Sequence, residues 1–436
     1  MTVPAFGTSA DPEQQRAVGS RSTSPGQIGS GQTTQVTTRV VPRSEAESRI
    51  VSKLTARIPR VRPKLGANFS IRVTDAATGG VIFDRRPNRP LLPASNMKVI
   101  TAVDALTILG PDATHTTKVK LVGQGAVALV GSGDATLSDT QLDTMAKAVA
   151  AAIPTDPALT PAPGLPFRVL YDDSLFFPPG PRTGWPRGYS PGVVRPVTAL
   201  GRLGRYVSDP SHDAATYFVS RLRAYGVTTG LRGKITAEPS APLVTQSTGA
   251  TLRDQVNYML QVSENNIAEN LFYEVAAARG FNTTWRGGRL AAMETLGELG
   301  VPTNDLNLTS GSGVGRNDRV TPRTLAALMS RIADSAYPKL NSIYYGGSLP
   351  LAGRSGTLSA STGRYTTAPS RCAAGKVSAK TGTLHDVVAL SGLTVGTDGR
   401  LKAFSIIDNN RPEARFSPLQ TRRAVDALVA TINGCY

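Results

Sequence analysis

The sequence has few of the residues that usually bind metal ions. Only two of its 436 residues are cysteine and three are histidine. Zinc fingers, iron–sulfur clusters and histidine-rich metal centres are therefore not expected, and no metal or cofactor is predicted. No apolar run reaches the roughly 18 residues of a membrane span. The opening MTVPAFGTSADPEQQ also lacks the apolar segment of a secretory signal.

Acidic residues are also scarce relative to basic ones. Lysine and arginine number 48 against 31 aspartates and glutamates, which gives a net charge of +17. Such a surplus raises nucleic acid as a partner class. However, the basic residues are spread along the chain, aromatic residues make up only 6%, and no nucleic-acid-binding motif is present. We therefore expect no nucleic-acid partner, and a basic nucleic-acid-binding protein is kept as the alternative.

The first part of the chain differs in composition from the rest. Residues 1–45 are rich in serine, threonine, glycine and glutamine, and they offer too little apolar surface to offset the entropy of ordering. We predict a disordered tether there. A basic stretch follows, and its spacing favours the solvated face of a helix over a binding patch. Its members are Arg49, Lys53, Arg57, Arg60, Arg62 and Lys64.

The remaining chain alternates between strand and helix patterns. Residues 68–83 predict a β-hairpin, and an apolar pattern after Ser95 predicts a buried helix that ends at Gly110-Pro111. Residues 115–205 contain short alternating runs, and 11 of the 31 prolines lie between Pro154 and Pro196. We interpret residues 115–205 as an inserted β-rich domain. The surrounding residues 46–114 and 206–436 then form one catalytic domain.

Three short motifs carry groups suited to acyl transfer. Ser95 and Lys98 are one helical turn apart, so a partly neutral lysine could remove the serine proton. Ser-Glu-Asn at 263–265 offers a hydroxyl and an amide, although capping of the next helix is the commoner role of such a pair. Lys-Thr-Gly-Thr at 380–383 suits a ligand carboxylate at a sheet edge, although it could equally be a turn. Each motif alone is ambiguous.

The ordered set resembles the penicillin-binding proteins and related β-lactamases. More closely, it is similar to the D-alanyl-D-alanine carboxypeptidase/endopeptidase family, the class C low-molecular-mass penicillin-binding proteins. The likeness includes the whole Pro93–Lys98 segment PASNMK, the run DDSLF at 172–176 and GSG at 311–313, followed by RNDRVTP at 316–322. The separation of 168 positions from Ser95 to Ser263 leaves room for an inserted domain. Three residues depart from the usual pattern of this family: Glu264 and Ser310 each replace an Asp, and Ala135 replaces a Pro.

This resemblance implies an α+β fold, with an antiparallel sheet flanked by helices, a helical subdomain and a small β-rich insert. It implies a serine peptidase that forms an acyl-enzyme on peptidoglycan stem peptides and is acylated by β-lactams. A penicillin-binding scaffold without turnover is a further alternative. The implied catalytic residues are Ser95, Lys98, Ser263, Asn265 and Lys380. The implied substrate-binding residues are Thr381, Gly382, Thr383 and His385, and the backbone amides of Ser95 and Thr383 would form the oxyanion hole.

Several further expectations depend on the same resemblance. No Glu-x-x-Leu-Asn run lies between Asn265 and Lys380, so slow deacylation is expected rather than β-lactamase turnover. Cys372 and Cys435 are expected to pair, as thiols of exported proteins usually do. His385 is either a pH-sensitive subsite residue or an exposed strand residue, and the second is favoured. Because peptidoglycan lies outside the membrane, we expect an extracytoplasmic location, with a signal or anchor preceding this sequence. The net charge would then favour anionic wall polymers.

Overall fold

The computed structural model describes residues 43–176 and 184–436. The predicted tether lies outside the described residues except for its last three, and Ser44 caps the first helix. The helices are α1 (Glu45–Val61), α2 (Met97–Ile108), α3 (Asp139–Ala152), α4 (Pro210–Ala224), α5 (Leu252–Val262), α6 (Asn265–Ala278), α7 (Trp285–Glu298), α8 (Pro322–Ala333), α9 (Asn341–Tyr344) and α10 (Pro418–Asn433). The strands are β1 (Asn68–Asp75), β2 (Val81–Arg85), β3 (Thr114–Gly123), β4 (Ala126–Val130), β5 (Phe167–Asp172), β6 (Thr229–Lys234), β7 (Leu243–Thr251), β8 (Val377–Leu384), β9 (Val387–Val395) and β10 (Leu401–Asn409).

The first sheet joins both ends of the described chain. Its order is β2-β1-β10-β9-β8, and every neighbouring pair is antiparallel. Apolar side chains cover both of its faces, because Phe404 and Ile406 belong to the core shared with α1 and α10, whereas Ala403 and Ile407 join the core around α2 and α8. Sheets buried between helix layers are typical of two-layer and three-layer domains. β8 is the edge strand; residues 350–352 pair with its first part, Val377–Ala379, and its outer side beyond Ala379 has no strand partner among the described residues.

Helix α2 is the central element of the larger core. Most of its residues from Met97 to Leu106 are buried, and it packs against α5, α6, α7 and α8. A helix that is apolar on nearly all sides must lie inside the protein. This confirms the buried helix predicted from the pattern after Ser95. It also means that any group at the beginning of α2 is held by a rigid, fully packed element.

A second sheet forms from residues 114–251. Its order is β6-β5-β4-β3-β7; β3 pairs antiparallel with β4 and β7, whereas β4, β5 and β6 are parallel. Parallel neighbours need crossover connections, and α3 and α4 supply them. Both helices share a core with the sheet that includes Leu142, Met145 and Phe218. This region is therefore a mixed sheet with two helices rather than strands alone.

The predicted insert, residues 115–205, covers only part of this second sheet. β6 pairs with β5 and β7 pairs with β3, so residues that we had assigned to the catalytic domain extend the sheet to Thr251. Both strands are polar and largely accessible to solvent, and they therefore carry no clear apolar alternation. Their place depends on hydrogen bonds to strands more than 60 residues earlier, which local composition cannot indicate.

Two further features complete the described chain. Cys372 and Cys435 form a disulfide with a Cα–Cα distance of 5.9 Å. It links the end of α10 to a short 3₁₀ turn that precedes β8. None of the helices in the described ranges has the length and apolar character needed to cross a membrane.

Candidate active site

Ser95 lies in a tight 3₁₀ turn, Ala94–Asn96, that leads directly into α2. Ala94 has φ of 46°, a left-handed conformation that is costly for a residue with a side chain. Two glycines allow other segments to approach this turn closely. A Cβ on Gly313 would overlap the carbonyl of Ala94, and one on Gly382 would lie 2.6 Å from the Pro93 oxygen. The strained turn is thus held from two sides.

Lys98 is fully buried one turn further along α2. Its Nζ lies 3.1 Å from Ser95 Oγ, 2.7 Å from Asn265 Oδ1 and 2.8 Å from the carbonyl oxygen of Ser312. These three acceptors match the three N–H groups of an ammonium. The Ser95–Lys98 contact is the one that helical spacing predicts, whereas the other two come from distant parts of the chain.

The second motif occupies a sharp link between α5 and α6. Ser263 ends α5 in a left-handed conformation with φ of 62°, and Asn265 is the first residue of α6. Glu264, rather than Ser263 or Asn265, caps α6 by accepting from the amide of Ile267. The capping alternative for Ser263 and Asn265 therefore does not describe this loop, and both side chains are available to the site.

The third motif lies on the edge strand β8 and does not form a turn. Lys380 is fully buried, and its Nζ donates to Ser263 Oγ at 2.9 Å and to the Thr381 carbonyl at 3.0 Å. The Thr381 hydroxyl lies 2.7 Å from that of Thr357. Because Gly382 lies against the turn that carries Ser95, β8 brings the third motif next to the first. The three motifs thus form one cluster.

Burial weakens the hold of both lysines on their protons. It lowers the pKa of Lys98 to about 8, against the opposing effect of the Glu264 and Glu269 carboxylates. Burial also holds the pKa of Lys380 well below its usual value, and the positive charge of Lys98 adds to this effect. No carboxylate is within ion-pair distance of either nitrogen among the described residues. Depressed pKa values of this kind are common in catalytic sites.

The groups that orient these side chains were not predicted from the sequence. The Ser312 carbonyl binds Lys98, and Glu269 holds Ser312 through both its amide and its hydroxyl, at 2.9 and 2.5 Å. The carbonyl of Val193, in the segment between β5 and α4, accepts from Asn265 Nδ2 at 2.8 Å. That bond leaves Oδ1 of Asn265 facing Lys98. The Gly-Ser-Gly segment at 311–313 could have indicated the Ser312 carbonyl. No local sequence pattern indicates that the Val193 carbonyl contacts the site.

His385 lies in the turn directly after β8, outside the strand itself. Its side chain is 62% exposed, and its Nε2 is 3.6 Å from Asp386 Oδ1. Asp386 in turn accepts two hydrogen bonds of 2.7 Å from Arg316, which lowers the pKa of the Asp386 carboxyl. Within the described residues, the His385 side chain makes no hydrogen bond to the other predicted site residues. No group of three or more potential metal ligands is found in the described part of the chain.

Comparison with known proteins decides the family. The model of the D-Ala-D-Ala carboxypeptidase 3 (S13) family matches residues 51–191 and 191–432. The chain belongs to this family. It is accordingly a serine-type D-Ala-D-Ala carboxypeptidase, which confirms the enzyme class that the three motifs predict. The nucleic-acid-binding alternative has no support.

Individual relatives agree with this assignment. The chain is 33% identical to a carboxypeptidase DacB of Mycolicibacterium smegmatis, over 86% of this chain and 82% of that protein. It is 30% identical to a D-alanyl-D-alanine carboxypeptidase of an Actinomadura species, over 85% and 82% of the two chains. Penicillin-binding protein 4 from Haemophilus influenzae, also solved in complex with a β-lactam, has a similar fold. That structure gives a TM-score of 0.71 at 20% identity, over 84% of this chain and 98% of the other. The predicted fold class is thereby confirmed.

Proposed function

We propose that Ser95 is the nucleophile of this carboxypeptidase and that Lys98 is its general base. The observation that carries this proposal is the 3.1 Å contact between the fully buried Lys98 Nζ and Ser95 Oγ. With a pKa of about 8, roughly a tenth of the lysine is neutral at pH 7. The neutral amine takes the serine proton as Oγ attacks the carbonyl carbon of the penultimate D-alanine.

Ser263 and Lys380 then protonate the leaving group. Expulsion of the terminal D-alanine requires a proton on its nitrogen, and Ser263 Oγ is a suitable donor because Lys380 Nζ lies 2.9 Å away to replace that proton. Asn265 orients Lys98 through Oδ1, and the second N–H of its Nδ2, whose first N–H donates to the Val193 carbonyl, holds a substrate amide oxygen. Water then attacks the ester carbonyl, its oxygen stays on the released acid and its proton returns to Ser95 Oγ. The proton that Lys98 gained during acylation passes back to Lys380, which restores the free enzyme.

The edge strand β8 supplies the substrate-binding groups. Thr381 and Thr383, together with Lys380, bind the terminal carboxylate. The close approach that Gly382 allows brings the backbone of β8 beside Ser95. The amides of Ser95 and Thr383 then form the oxyanion hole, where loss of one donor typically costs about 3 kcal/mol of transition-state stabilisation. We assign no chemical step to His385.

The same serine should react with penicillin. A strained β-lactam amide places its carbonyl where the D-alanyl-D-alanine carbonyl would lie, so Ser95 forms a stable ester with the opened ring. Because the sequence holds no Glu-x-x-Leu-Asn run between the second and third motifs, this ester should hydrolyse slowly. Support comes from the β-lactam complex of the structurally similar Haemophilus influenzae protein. We place the enzyme outside the membrane, where peptidoglycan stem peptides are found.

Labelling with a fluorescent penicillin tests the nucleophile. Ser95→Ala should abolish covalent labelling, while Ser361→Ala, a change to an exposed serine of a surface 3₁₀ turn, should label like the original enzyme. Mass spectrometry of the labelled peptide should place the adduct within residues 93–98. A labelled Ser95→Ala protein would contradict the assignment. Incubation with defined muropeptides should remove one D-alanine from pentapeptides, and splitting of cross-linked dimers would add endopeptidase activity.

A further inference from the structure

A basic cavity lies on the far layer of the first sheet, between α1 and α10. Its volume is about 390 Å³, and residues 367–370 close one side. Four of the residues that line it are cations: Arg57, Arg60, Lys64 and Arg423. Three of them belong to the basic stretch noted in the sequence, which we interpreted as a solvated helix face. The tertiary structure instead brings that face opposite a further arginine.

These cations lack counter-charges within the described structure. None of the lining residues is Asp or Glu. Arg57 donates to the Thr431 hydroxyl and stacks on the Tyr436 ring, and Arg423 donates to the Gly363 carbonyl. The side chains of Arg60 and Lys64 have no hydrogen bond or ion pair among the described residues. The main-chain oxygen of Tyr436, which also lines the cavity, accepts from Lys53, one turn before Arg57.

The rest of the cavity is suited to a ligand that is only partly charged. Ala424, Ala427 and Leu428 of α10 form an apolar floor, while Thr367, Ser370 and Gln420 add neutral polar groups. Guanidinium groups arranged in this way favour phosphate, because their planar N–H pairs match two phosphate oxygens at once. Carbon atoms of a sugar or polyol linked to that phosphate would rest on the floor.

A flat anionic membrane fits this site less well. The cations line a concavity rather than a raised surface, and none of the lining residues is among the large apolar side chains that the described surface exposes. Membrane-surface elements usually add such apolar side chains to their basic face. A flexible chain that carries successive phosphates can instead enter the cavity with one phosphate and approach its rim with the next.

We propose that the cavity between α1 and α10 binds a phosphate group of a soluble phosphodiester-linked polyanion. The site is separate from the Ser95 cluster in residues and chemistry, so it tethers the enzyme to a polymer without taking part in peptide cleavage. The surplus of positive charge in the whole chain then assists the approach of the polymer, while this cavity supplies the specific contact.

Calorimetric titration of the full chain with a synthetic glycerol phosphate hexamer tests the proposal. The variant Arg60→Glu/Lys64→Glu reverses two exposed cavity cations. The matched control Arg85→Glu/Arg232→Glu reverses two exposed cations on β2 and β6 and changes the net charge by the same amount. Titrations at about 25 mM and about 150 mM salt separate a local contact from long-range attraction, since the Debye length falls below about 10 Å at the higher value.

The expected result is saturable binding that the cavity variant weakens at least tenfold and that the control changes less than twofold. Hydrolysis of a small D-Ala-D-Ala peptide should be unchanged in both variants. Equal weakening in the two variants would show that only net charge matters and would overturn the site. Binding to phosphatidylcholine vesicles with 30% phosphatidylglycerol, but not to the hexamer, would contradict a polymer ligand and show that the cavity binds a membrane surface. No binding to either probe would also overturn the proposal.

Discussion

Lys98 and Lys402 are both fully buried, but the groups around their nitrogen atoms differ. Lys402, on β10, lies 2.7 Å from a Glu47 oxygen, 2.9 Å from an Asp398 oxygen and 3.8 Å from an Asp75 oxygen. The nearest partners of Lys98 are a hydroxyl, an amide oxygen and a carbonyl oxygen. One lysine is therefore surrounded by negative charge, and the other by neutral dipoles.

This difference separates a structural cation from a reactive one. The carboxylates around Lys402 come from α1, β1 and the β9–β10 turn, so its charge joins three segments of the domain. A buried ammonium with only neutral partners is instead stabilised too little to keep its proton firmly. The same residue type thus anchors the fold at one place and is prepared for proton transfer at the other.

Removal of the Lys98 ammonium should give the largest effect on catalysis. Lys98→Met keeps the length of the side chain but removes the base, so we expect acylation by penicillin to fall on the order of 10⁴-fold. The free energy of unfolding should stay the same or rise, because an unpaired buried charge is lost. Stopped-flow acylation and urea unfolding measure the two quantities. Normal acylation in a less stable protein would reverse the proposed distinction.

The corresponding change at Lys402 should act on stability. Lys402→Met leaves the Glu47, Asp75 and Asp398 carboxylates close together, with Arg400 as their remaining nearby cation, and should lower the free energy of unfolding by about 3–5 kcal/mol. Lys402→Arg should restore part of this loss. Penicillin acylation by the folded fraction should match that of the original enzyme. A large loss of acylation without a loss of stability would contradict the structural role.

The smallest expected effect is the pH dependence of acylation. Since the pKa of Lys98 is lowered to about 8, its neutral form increases about tenfold per pH unit below that value and levels off above it. The second-order acylation rate should follow this curve between pH 6 and 9. The unfolded chain keeps this proton up to about pH 10.5, so the stability that burial of Lys98 costs should be regained as pH rises above 8. A flat rate profile would contradict a lysine base.

The sequence predicted the elements that depend on neighbouring residues. The buried helix after Ser95 and the hairpin of β1 and β2 follow from local periodicity, and both are present. The Ser95–Lys98 contact follows from helical geometry alone. The 115–205 boundary does not include β6 and β7, which belong to the second sheet. These strands are polar and accessible, so their place in the sheet depends on hydrogen bonds to strands far away in the chain.

The sequence by itself therefore determined which reactive groups exist, their order and the local pairing of Ser95 with Lys98. Tertiary structure alone decided that Lys380 meets Ser263 across 117 residues and that Lys98 meets Asn265 across 167. It also decided which buried lysines have carboxylate neighbours and that α10 completes the basic cavity. The reason is physical: periodicity and turn chemistry act over a few residues, whereas burial and charge pairing depend on whichever distant segments share the same space.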